Sequence, residues 1–370
     1  MNVPFVDLKK QYDHLKTGID QAIQQVIEET AFINGKYVAE FEKTYAEKYG
    51  VKHCIGCANG TDAIYIALKA LGIGDGDEVI TVANSWISTS ETITQTGAKP
   101  VFVDIEPGYY TIDPKLIEAK ITGRTRAIIP VHLYGQPADM DAISELCEKH
   151  GLFLIEDTAQ AHFAEYRGQK VGTFGTVATF SFYPGKNLGA YGDAGAIITN
   201  DENLAEKMRM FANHGALKKH YHQIEGINSR LDGLQAAILS TKLPHIQEWN
   251  EQRRNNAKYY KELLSDVAGI SLPQIRSAVK HIFHLFVIRV EQRDLLQRYL
   301  RNAGVSTAIH YPTALPFLPA YRYLNHSEID FPVAAKYQRQ ILSLPMFPEL
   351  TRQQIEYVSE YIKKFFTRNK

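Results

Sequence analysis

A lysine and a carboxylate occupy positions where chemistry, rather than surface charge, is expected of their side chains. Lys186 lies in a glycine-punctuated turn, SFYPGKNLG at residues 181–189, directly after an apolar run. Asp157 belongs to the polar cluster EDTAQ, residues 156–160, at the end of the apolar run at residues 152–155. Because parallel strands end at the same edge of a sheet, the two segments indicate one site in which an amine faces an acid.

A phosphate site is indicated by the segment NGTDA, residues 59–63, which precedes a helical pattern. Gly60 permits close approach of the backbone, and free N–H groups with the Thr61 hydroxyl at a helix N-terminus form an anion site. For this segment alone, an ordinary N-cap by Thr61 or Asp62 is the alternative. The hydroxyl of Ser181, in the turn that carries the lysine, adds a second phosphate contact.

An amine, phosphate donors and a buried carboxylate together are the groups that pyridoxal phosphate requires. Lys186 would bond to the aldehyde, and Asp157 would hold the pyridine nitrogen protonated so that the ring accepts electrons. A surface lysine and a carboxylate that caps a loop are the alternatives for these two residues. Trp86 follows another predicted strand, where its ring would stack on the cofactor; a core tryptophan is the alternative.

Other features of the sequence exclude several classes of function. The 41 basic and 41 acidic residues cancel, so no global field favours nucleic acid or a membrane surface. Cys54 and Cys57 lack the context of a redox or zinc motif, and the glycines at 72–76 follow a helical pattern instead of a strand, unlike a dinucleotide fingerprint. The histidines at 214–222 have no carboxylates at ligand spacing, so no metal is expected.

The elements expected to position the site alternate between strands and helices. The chain has 370 residues, enough for two lobes around a continuous core. Short β-branched runs predict strands at residues 78–83, 99–104, 126–133, 151–155, 176–182 and 195–199. Because helical stretches separate these runs, a mostly parallel sheet covered by helices is expected. No secretory leader and no apolar run of about 18 residues is present, so a soluble, cytoplasmic protein is expected.

Helical periodicity frames this alternation at both ends of the chain. Apolar residues between positions 8 and 26 step by threes and fours, which is typical of one helix face. A second, smaller lobe is predicted by a helix at 235–263, a strand at 282–290 and a helix at 292–303. A capping box formed by Thr351 and Gln354 begins the last helix.

The motifs together resemble those of one family, the DegT/DnrJ/EryC1/StrS sugar aminotransferases, which are fold-type I pyridoxal phosphate enzymes. The resemblance extends over essentially the whole chain, through VPFVDL at residues 3–8, NGTDA at 59–63, EDTAQAH at 156–162, SFYPGKNLG at 181–189 and GINSRLD at 226–232. Thr158 departs from the alanine of many relatives, and its neighbours hold the chemistry. Since relatives that have become dehydratases replace the lysine by histidine, Lys186 favours amino transfer.

The resemblance implies roles for five further residues. Gln160 would bond to the 3-hydroxyl of the cofactor. Asn228 would reach the cofactor phosphate of a neighbouring subunit, which implies a homodimer with shared active sites. Tyr183, His310 and Tyr311 would line the sugar site, and a structural histidine is the alternative for His310.

The resemblance also implies the architecture. The fold class would be α/β, with a mostly parallel seven-stranded sheet between helices in a large cofactor-binding domain at residues 1–240. A smaller α+β domain would follow at residues 241–370. The N-terminal helix would pack on the small lobe or on a partner subunit.

The implied function is transfer of an amino group from glutamate to a nucleotide-linked keto-sugar. The form of the segments at 228–232 and 183–189 is similar to that of 3-aminotransferases, which implies C3 of a dTDP-3-keto-6-deoxyhexose and a 3-amino-3,6-dideoxyhexose for a surface polysaccharide, such as an O-antigen, or a glycoside. A UDP-linked 3-keto acetamido-uronate and a 4-keto sugar are alternative acceptors. A regulator that retains the cofactor without turnover is the alternative from another class, and a dehydrogenase lacks its fingerprint.

Overall fold

The helices and strands alternate through most of the chain, and the computed structural model describes residues 1–368. In that range the α-helices are α1 (Leu8–Glu28), α2 (Lys36–Tyr49), α3 (Gly60–Ala70), α4 (Ser88–Gln95), α5 (Met140–His150), α6 (Glu202–Ala212), α7 (Gly233–Lys242), α8 (Ile246–Leu264), α9 (Arg293–Asn302), α10 (Pro332–Tyr337) and α11 (Arg352–Arg368). The strands are β1 (His53–Cys57), β2 (Glu78–Val82), β3 (Lys99–Val103), β4 (Thr125–Ile129), β5 (Phe153–Asp157), β6 (Glu165–Tyr166), β7 (Gln169–Lys170), β8 (Val177–Ser181), β9 (Gly195–Thr199), β10 (Ile270–Ser271), β11 (Val279–Lys280), β12 (Phe286–Val290) and β13 (Ile341–Leu344).

The central sheet has seven strands in the order β1-β9-β8-β5-β4-β2-β3. The five strands from β8 to β3 pair in parallel, and β9 runs antiparallel to both of its neighbours. Helices cover both faces of the sheet, as two successive residues of β9 show, because successive side chains of a strand point to opposite faces. Ile197 packs in a cluster with residues of α3 and α6, and Ile198 packs in a cluster with residues of α2 and α7. The predicted mostly parallel sheet is confirmed, and it includes β1, which the sequence analysis left unassigned.

The carboxyl ends of β5 and β8 lie side by side at one edge of this sheet. Asp157, the last residue of β5, pairs with Thr179 of β8, and β8 ends two residues later at Ser181. The turn that carries Lys186 therefore begins beside Asp157. This edge is where a doubly wound α/β fold forms its binding crevice.

The second lobe is built on a small antiparallel sheet, β10-β12-β13, covered by α8, α9 and α11. The capping box that begins α11 is confirmed, because the Gln354 N–H donates to Thr351 Oγ1 at 3.2 Å and the Thr351 N–H donates to Gln354 Oε1 at 3.0 Å. The division of the chain at residue 240 stays a prediction. Within residues 1–368, no helix has the length and apolar character needed to cross a membrane.

Three predicted elements depart from the structure by an interruption or by more than two residues at one end. The helix predicted at 235–263 is interrupted by a 3-10 turn at Leu243–His245, since Pro244 has no N–H to donate to the preceding turn. The strand predicted at 126–133 ends at Ile129, just before Pro130. The strand predicted at 282–290 begins only at Phe286.

The N-terminal helix packs on α7, which spans the predicted boundary between the two domains. On α1, a Cβ at Gly18 would lie 3.2 Å from the methyl group of Thr241 in α7, so the two helices approach closely there. The segment before α1 reaches the second lobe, where Val3 pairs with Val305.

Candidate active site

The turn that carries Lys186 is closed by backbone contacts at its base. The Ala190 N–H donates to the carbonyl of Phe182 at 2.7 Å. A Cβ on Gly189 would lie 2.3 Å from the carbonyl oxygen of Pro184, so only glycine fits where the two sides of the turn meet. These contacts fix the backbone of Lys186 just beyond the end of β8.

The amine of Lys186 is poised to act as a nucleophile. Its side chain is partly buried, and within residues 1–368 its Nζ makes no hydrogen bond. Burial lowers the pKa of Lys186 to about 8, while the negative charge of Asp157 acts to raise it. A much larger fraction of this amine is therefore neutral near pH 7 than for a surface lysine.

Asp157 is buried and held by two donors. The Thr89 hydroxyl donates to Oδ2 at 2.9 Å, and the Ala159 N–H donates to Oδ1 at 3.2 Å. Burial raises the pKa of Asp157, whereas these bonds and the nearby Lys186 and His132 act to lower it. The two donors thus fix the orientation of the carboxylate, and a cationic partner would stabilise its charged form.

Gln160 joins the sheet edge to the segment that carries His310. Its Oε1 accepts the Tyr134 N–H at 2.7 Å, and its Nε2 donates to the Tyr311 hydroxyl at 3.0 Å. The Tyr134 hydroxyl in turn donates to the carbonyl of His310. Three residues predicted for the site, Gln160, His310 and Tyr311, therefore belong to one network with Asp157 nearby.

Two aromatic side chains lie open at this edge. Trp86 is 58% exposed, so the alternative of a core tryptophan is wrong, and its ring centroid lies 5.6 Å from that of Tyr311. Tyr183, beside the lysine turn, is 59% exposed. Exposed rings at the rim of a polar site are suited to stacking on a planar ligand.

His310 has a partner on one side of its ring. Its Nδ1 lies 2.8 Å from the Ser343 hydroxyl, and its ring stacks on Phe5 with centroids 5.7 Å apart. Burial lowers the pKa of His310 to about 4, and the charge of Lys186 acts in the same direction. The imidazole is therefore neutral near pH 7.

The segment at the start of α3 forms a cradle of backbone beside Ser181. A Cβ on Gly60 would lie 2.6 Å from the Cβ of Ser181, so the backbone of the two loops meets only because residue 60 is glycine. Asn59, instead of Thr61 or Asp62, is the N-cap, since its side chain accepts the Asp62 N–H at 2.8 Å. The Gly60 and Thr61 N–H groups are left for an anion, and these donors fit a phosphate.

The cradle is connected to the carboxylate through α4. The Thr61 hydroxyl lies 2.6 Å from that of Ser88, and the next residue, Thr89, donates to Asp157. The run of hydroxyl residues that opens α4, separated by five residues from the end of β2, is the feature of the sequence that could have revealed Ser88 and Thr89.

Asn228 lies apart from these groups within one chain. Its backbone pairs with that of Asn213, its side chain is exposed, and no hydrogen bond in residues 1–368 joins it to Lys186 or Asp157. The next residue, Ser229, accepts the Ala58 N–H at 3.1 Å. Large apolar side chains are exposed in the segment that precedes it and in the segment that pairs with the N-cap of α7, namely Leu217, Tyr221, Ile224, Phe32 and Ile33.

A second network that the sequence analysis missed surrounds the lysine turn. Asn187 donates through Nδ2 to Asn250 Oδ1 at 2.8 Å, and His284 Nδ1 lies 3.1 Å from Asn187 Oδ1. Burial lowers the pKa of both His284 and His162, and the charge of Lys186 acts in the same direction. Neutral imidazoles therefore surround the amine. Within residues 1–368, no three His, Cys, Asp or Glu side chains are grouped so as to hold a metal ion.

Transamination on pyridoxal phosphate needs a nucleophilic amine, an anion for the ring nitrogen and donors for the phosphate, and this edge of the sheet supplies all three. The fold and the site thus define a pyridoxal phosphate-dependent aminotransferase. The chain belongs to the DegT/DnrJ/EryC1/StrS aminotransferase family, whose model matches residues 13–363. The resemblance seen in the motifs is confirmed.

Curated relatives match the chain along almost its whole length. A pleiotropic regulatory protein from Geobacillus stearothermophilus is 50% identical, covering 99% of both chains. A dTDP-3-amino-3,4,6-trideoxy-alpha-D-glucose transaminase from Streptomyces venezuelae is 43% identical, covering 99% of this chain and 97% of the relative. A UDP-2-acetamido-2-deoxy-3-oxo-D-glucuronate aminotransferase from Pseudomonas aeruginosa is 45% identical, covering 96% of this chain and 98% of the relative.

A solved structure has the same fold. The crystal structure of S. venezuelae DesV in complex with a ketimine intermediate superposes with a TM-score of 0.96 at 43% identity, covering 99% of this chain and 98% of that one. The α/β fold and the pyridoxal phosphate cofactor predicted from the sequence are confirmed. The protein is a pyridoxal phosphate-dependent sugar aminotransferase. The roles of its individual residues stay predictions.

Proposed function

We propose that the protein moves an amino group from glutamate to C3 of a dTDP-linked 3-keto-6-deoxyhexose. The observation that supports this choice of acceptor is the 44% identity, over 98% of the chain, with a protein from Aneurinibacillus thermoaerophilus named dTDP-3-amino-3,6-dideoxy-alpha-D-galactopyranose transaminase. The product would be a 3-amino-3,6-dideoxyhexose used in a surface polysaccharide, such as an O-antigen, or in a glycoside. The site of action would be the cytoplasm.

The cofactor would be held by the groups described above. When bound, pyridoxal phosphate supplies an electron-accepting ring that stabilises the negative charge left on the α-carbon of the donor. The proposed contacts are to the ring nitrogen from Asp157, to the 3-hydroxyl from Gln160, to the ring face from Trp86, and to the phosphate from Gly60, Thr61 and Ser181.

Lys186 would act both as covalent anchor and as proton carrier. Its Nζ would take a proton from the α-carbon of glutamate and, in the second half-reaction, deliver one to C3 of the sugar. A lysine pKa of about 8 suits this exchange, because the amine accepts and releases a proton near the working pH. Glutamate leaves as its keto acid before the sugar reacts, so the kinetics would be ping-pong.

Asp157 supports these steps from a fixed position. Thr89 and Ala159 hold the two carboxylate oxygens, so the group needs no reorganisation when charge develops in the ring. Tyr183, His310 and Tyr311 would face the sugar. His310, with its Nδ1 engaged by Ser343, would present a neutral ring to the substrate.

We also propose an active homodimer in which Asn228 of one subunit serves the site of the other. Two observations support this arrangement: within residues 1–368 Asn228 is exposed and makes no hydrogen bond to Lys186 or Asp157, and large apolar side chains are exposed in the segment that precedes it and in the segment that pairs with the N-cap of α7. Exposed apolar side chains of this kind are typical of a subunit interface. The described residues would then form a complete cofactor site only in the dimer.

A UDP-linked 3-keto acetamido-uronate is the second candidate acceptor, and the 45% identical relative from P. aeruginosa favours it. A regulator without turnover is the candidate from another class, favoured by the name of the 50% identical relative. The presence of Lys186, Asp157 and Gln160 at one edge of the sheet supports catalysis over regulation alone.

A panel experiment tests these alternatives together. The purified protein is incubated with glutamate and, separately, with dTDP-linked and UDP-linked 3-keto and 4-keto sugars, and the position of the new amine is found by NMR. Amination at C3 of the dTDP sugar is expected. Product only with a UDP sugar, or at C4, would replace the proposed acceptor. A protein whose bound cofactor responds to no amino donor would support the regulator.

A further inference from the structure

Lys242 is a fully buried amine without a carboxylate partner. It is the last residue of α7 and has no exposed surface. Within residues 1–368, no Asp or Glu oxygen lies within ion-pair distance of its Nζ. Burial lowers the pKa of Lys242 to about 7, and the more distant charge of Glu349 acts to raise it. A buried amine without a counterion is costly, so its retention calls for a specific contact.

The contact that Lys242 makes is with the lysine turn of the active site. Its Nζ donates to the carbonyl of Gly189 at 2.7 Å and lies 4.1 Å from the ring centroid of Tyr191. Gly189 is the residue whose backbone meets Pro184 at the base of the turn, three residues after Lys186. The ammonium is thus attached to the base of the turn that carries the catalytic lysine.

The same face of α7 holds the next part of the chain. Gln235 lies seven residues before Lys242, which places the two side chains on one face of the helix. Gln235 Oε1 accepts the Tyr191 N–H at 2.8 Å, and a Cβ on Gly192 would lie 2.9 Å from Gln235 Nε2. Residues 189–192 are therefore fixed at both ends by one rigid helix.

From this geometry we propose that Lys242 is a positioning residue for Lys186: it fixes the base of the turn through Gly189 and Tyr191 and thereby sets the place and the solvation of the Lys186 amine. The inference rests on the proposed role of Lys186 as the proton carrier. Lys242 touches neither the cofactor site nor a substrate group in the described contacts, so it acts through the turn.

A lysine suits this position for two reasons. Its amine donates to the carbonyl, and its protonated form is also attracted to the face of the Tyr191 ring, which a permanently uncharged donor would not match. An apolar residue of the same length would fill the space without either interaction. The turn would then be free to move, and water would reach Lys186 more easily.

The test compares Lys242→Met with Lys261→Met as a matched control. Lys261, in α8, is a partly buried lysine whose pKa is also lowered by burial, and its Nζ lies 6.0 Å from the ring centroid of Phe283; within residues 1–368 it makes no hydrogen bond to the lysine turn. Two kinds of measurement are made on each variant. The first is kcat and KM with glutamate and the dTDP-linked 3-keto-6-deoxyhexose, and the second is the pKa of Lys186 in cofactor-free protein. The pKa is obtained from the pH dependence of labelling by an amine-acylating reagent, located by mass spectrometry.

In Lys242→Met we expect kcat to fall about tenfold or more, with KM values within about threefold of the wild type. We also expect the pKa of Lys186 to rise, since a better solvated amine holds its proton more strongly; a rise of about one pH unit lowers the labelling rate near pH 8 about fivefold. Lys261→Met should match the wild type in both.

A Lys242→Met protein with wild-type kcat and an unchanged Lys186 pKa would overturn the inference, as would equal losses in Lys261→Met. Should Lys242→Met not fold, Lys242→Gln, which lacks the charge, is measured with the same thresholds. The proposed role of Lys186 is tested separately in the wild type. If Lys186 does not bond to the cofactor, protein acylated at Lys186 will still bind the cofactor.

Discussion

Glu156 and Asp157 are consecutive buried carboxylates at the end of β5 that serve two different networks. Side chains alternate across a strand, so the two groups point away from each other. Glu156 accepts the N–H groups of Gly172, Phe174 and Gly175 at 2.6 to 2.8 Å. Asp157 instead accepts the Thr89 hydroxyl in the active site. One acid organises the loop beneath the site, and the other is free for the chemistry.

Glu156→Gln is expected to destabilise the fold. His132 joins the network of this carboxylate: its Nδ1 accepts the Ala138 N–H at 3.1 Å, so its Nε2 carries the proton that is donated to Glu156. An amide at position 156 would place its own N–H groups against the N–H donors that bond to Glu156, and it would lack the negative charge. We expect the free energy of unfolding to fall by about 3 kcal/mol. Denaturant unfolding measures the loss, and Glu118→Gln, an exposed carboxyl, should unfold like the wild type.

Asp157→Asn is expected to lower the pKa of Lys186. The negative charge of Asp157 acts to raise that pKa, so its removal leaves burial unopposed and the pKa falls below about 8. The midpoint of Lys186 acylation in cofactor-free protein reports the change. Asp141→Asn, at an exposed position on α5, serves as the control. An unchanged midpoint in Asp157→Asn would show that the two groups do not interact.

Thr89→Val is expected to move the acid limb of the pH profile. The Thr89 hydroxyl stabilises the charged form of Asp157, so its loss raises the pKa of the carboxyl. In the proposed mechanism catalysis needs the carboxylate, and activity should therefore be lost at a higher pH on acidification, by about one pH unit. The pH dependence of kcat/KM measures the shift. Thr89→Ser retains the hydroxyl and should keep the wild-type profile.

The parts of the site that lie at strand ends were predictable from the sequence. Asp157 and Lys186 each follow an apolar run, and the period of a buried strand fixes where such a run ends. The cap formed by Thr351 and Gln354 was also predictable, because both partners lie within four residues of one another. Local spacing determines these features.

The remaining parts depend on contacts between distant segments. Thr89 is 68 residues from Asp157, and Tyr311 is 151 residues from Gln160, so no local pattern pairs them. Lys242 illustrates a different failure. The helical period of the sequence continues through Pro244, so it predicts one unbroken helix. Pro244 has no N–H to donate, and for that reason α7 ends at Lys242; this local signal was hidden by the periodicity.

Lys186→Ala is expected to abolish turnover. The variant loses both the covalent anchor and the proton carrier, so kcat should fall at least about a thousandfold. Coupled detection of the keto acid from glutamate measures the rate, and NMR detects any aminated sugar. Lys207→Ala, an exposed lysine on α6, should retain wild-type activity. Repeated turnovers by Lys186→Ala would overturn the proposed mechanism.

Asn228→Ala tests whether the active site is shared between subunits. Lys186→Ala and Asn228→Ala proteins are prepared separately, and heterodimers carrying one subunit of each are isolated by two affinity tags. If Asn228 serves the partner's site, the Asn228→Ala subunit keeps its own Lys186 and receives an intact Asn228, so one site in the heterodimer is fully active. The heterodimer should then show about half of the wild-type activity, well above either homodimer, since one of its two sites is complete. If Asn228 serves its own site, neither site of the heterodimer is complete, and its activity stays at half of that of the Asn228→Ala homodimer.

The control replaces Asn228→Ala by Asn200→Ala. Asn200 accepts the Lys52 N–H at the far end of β9, so the Asn200→Ala homodimer should be as active as the wild type.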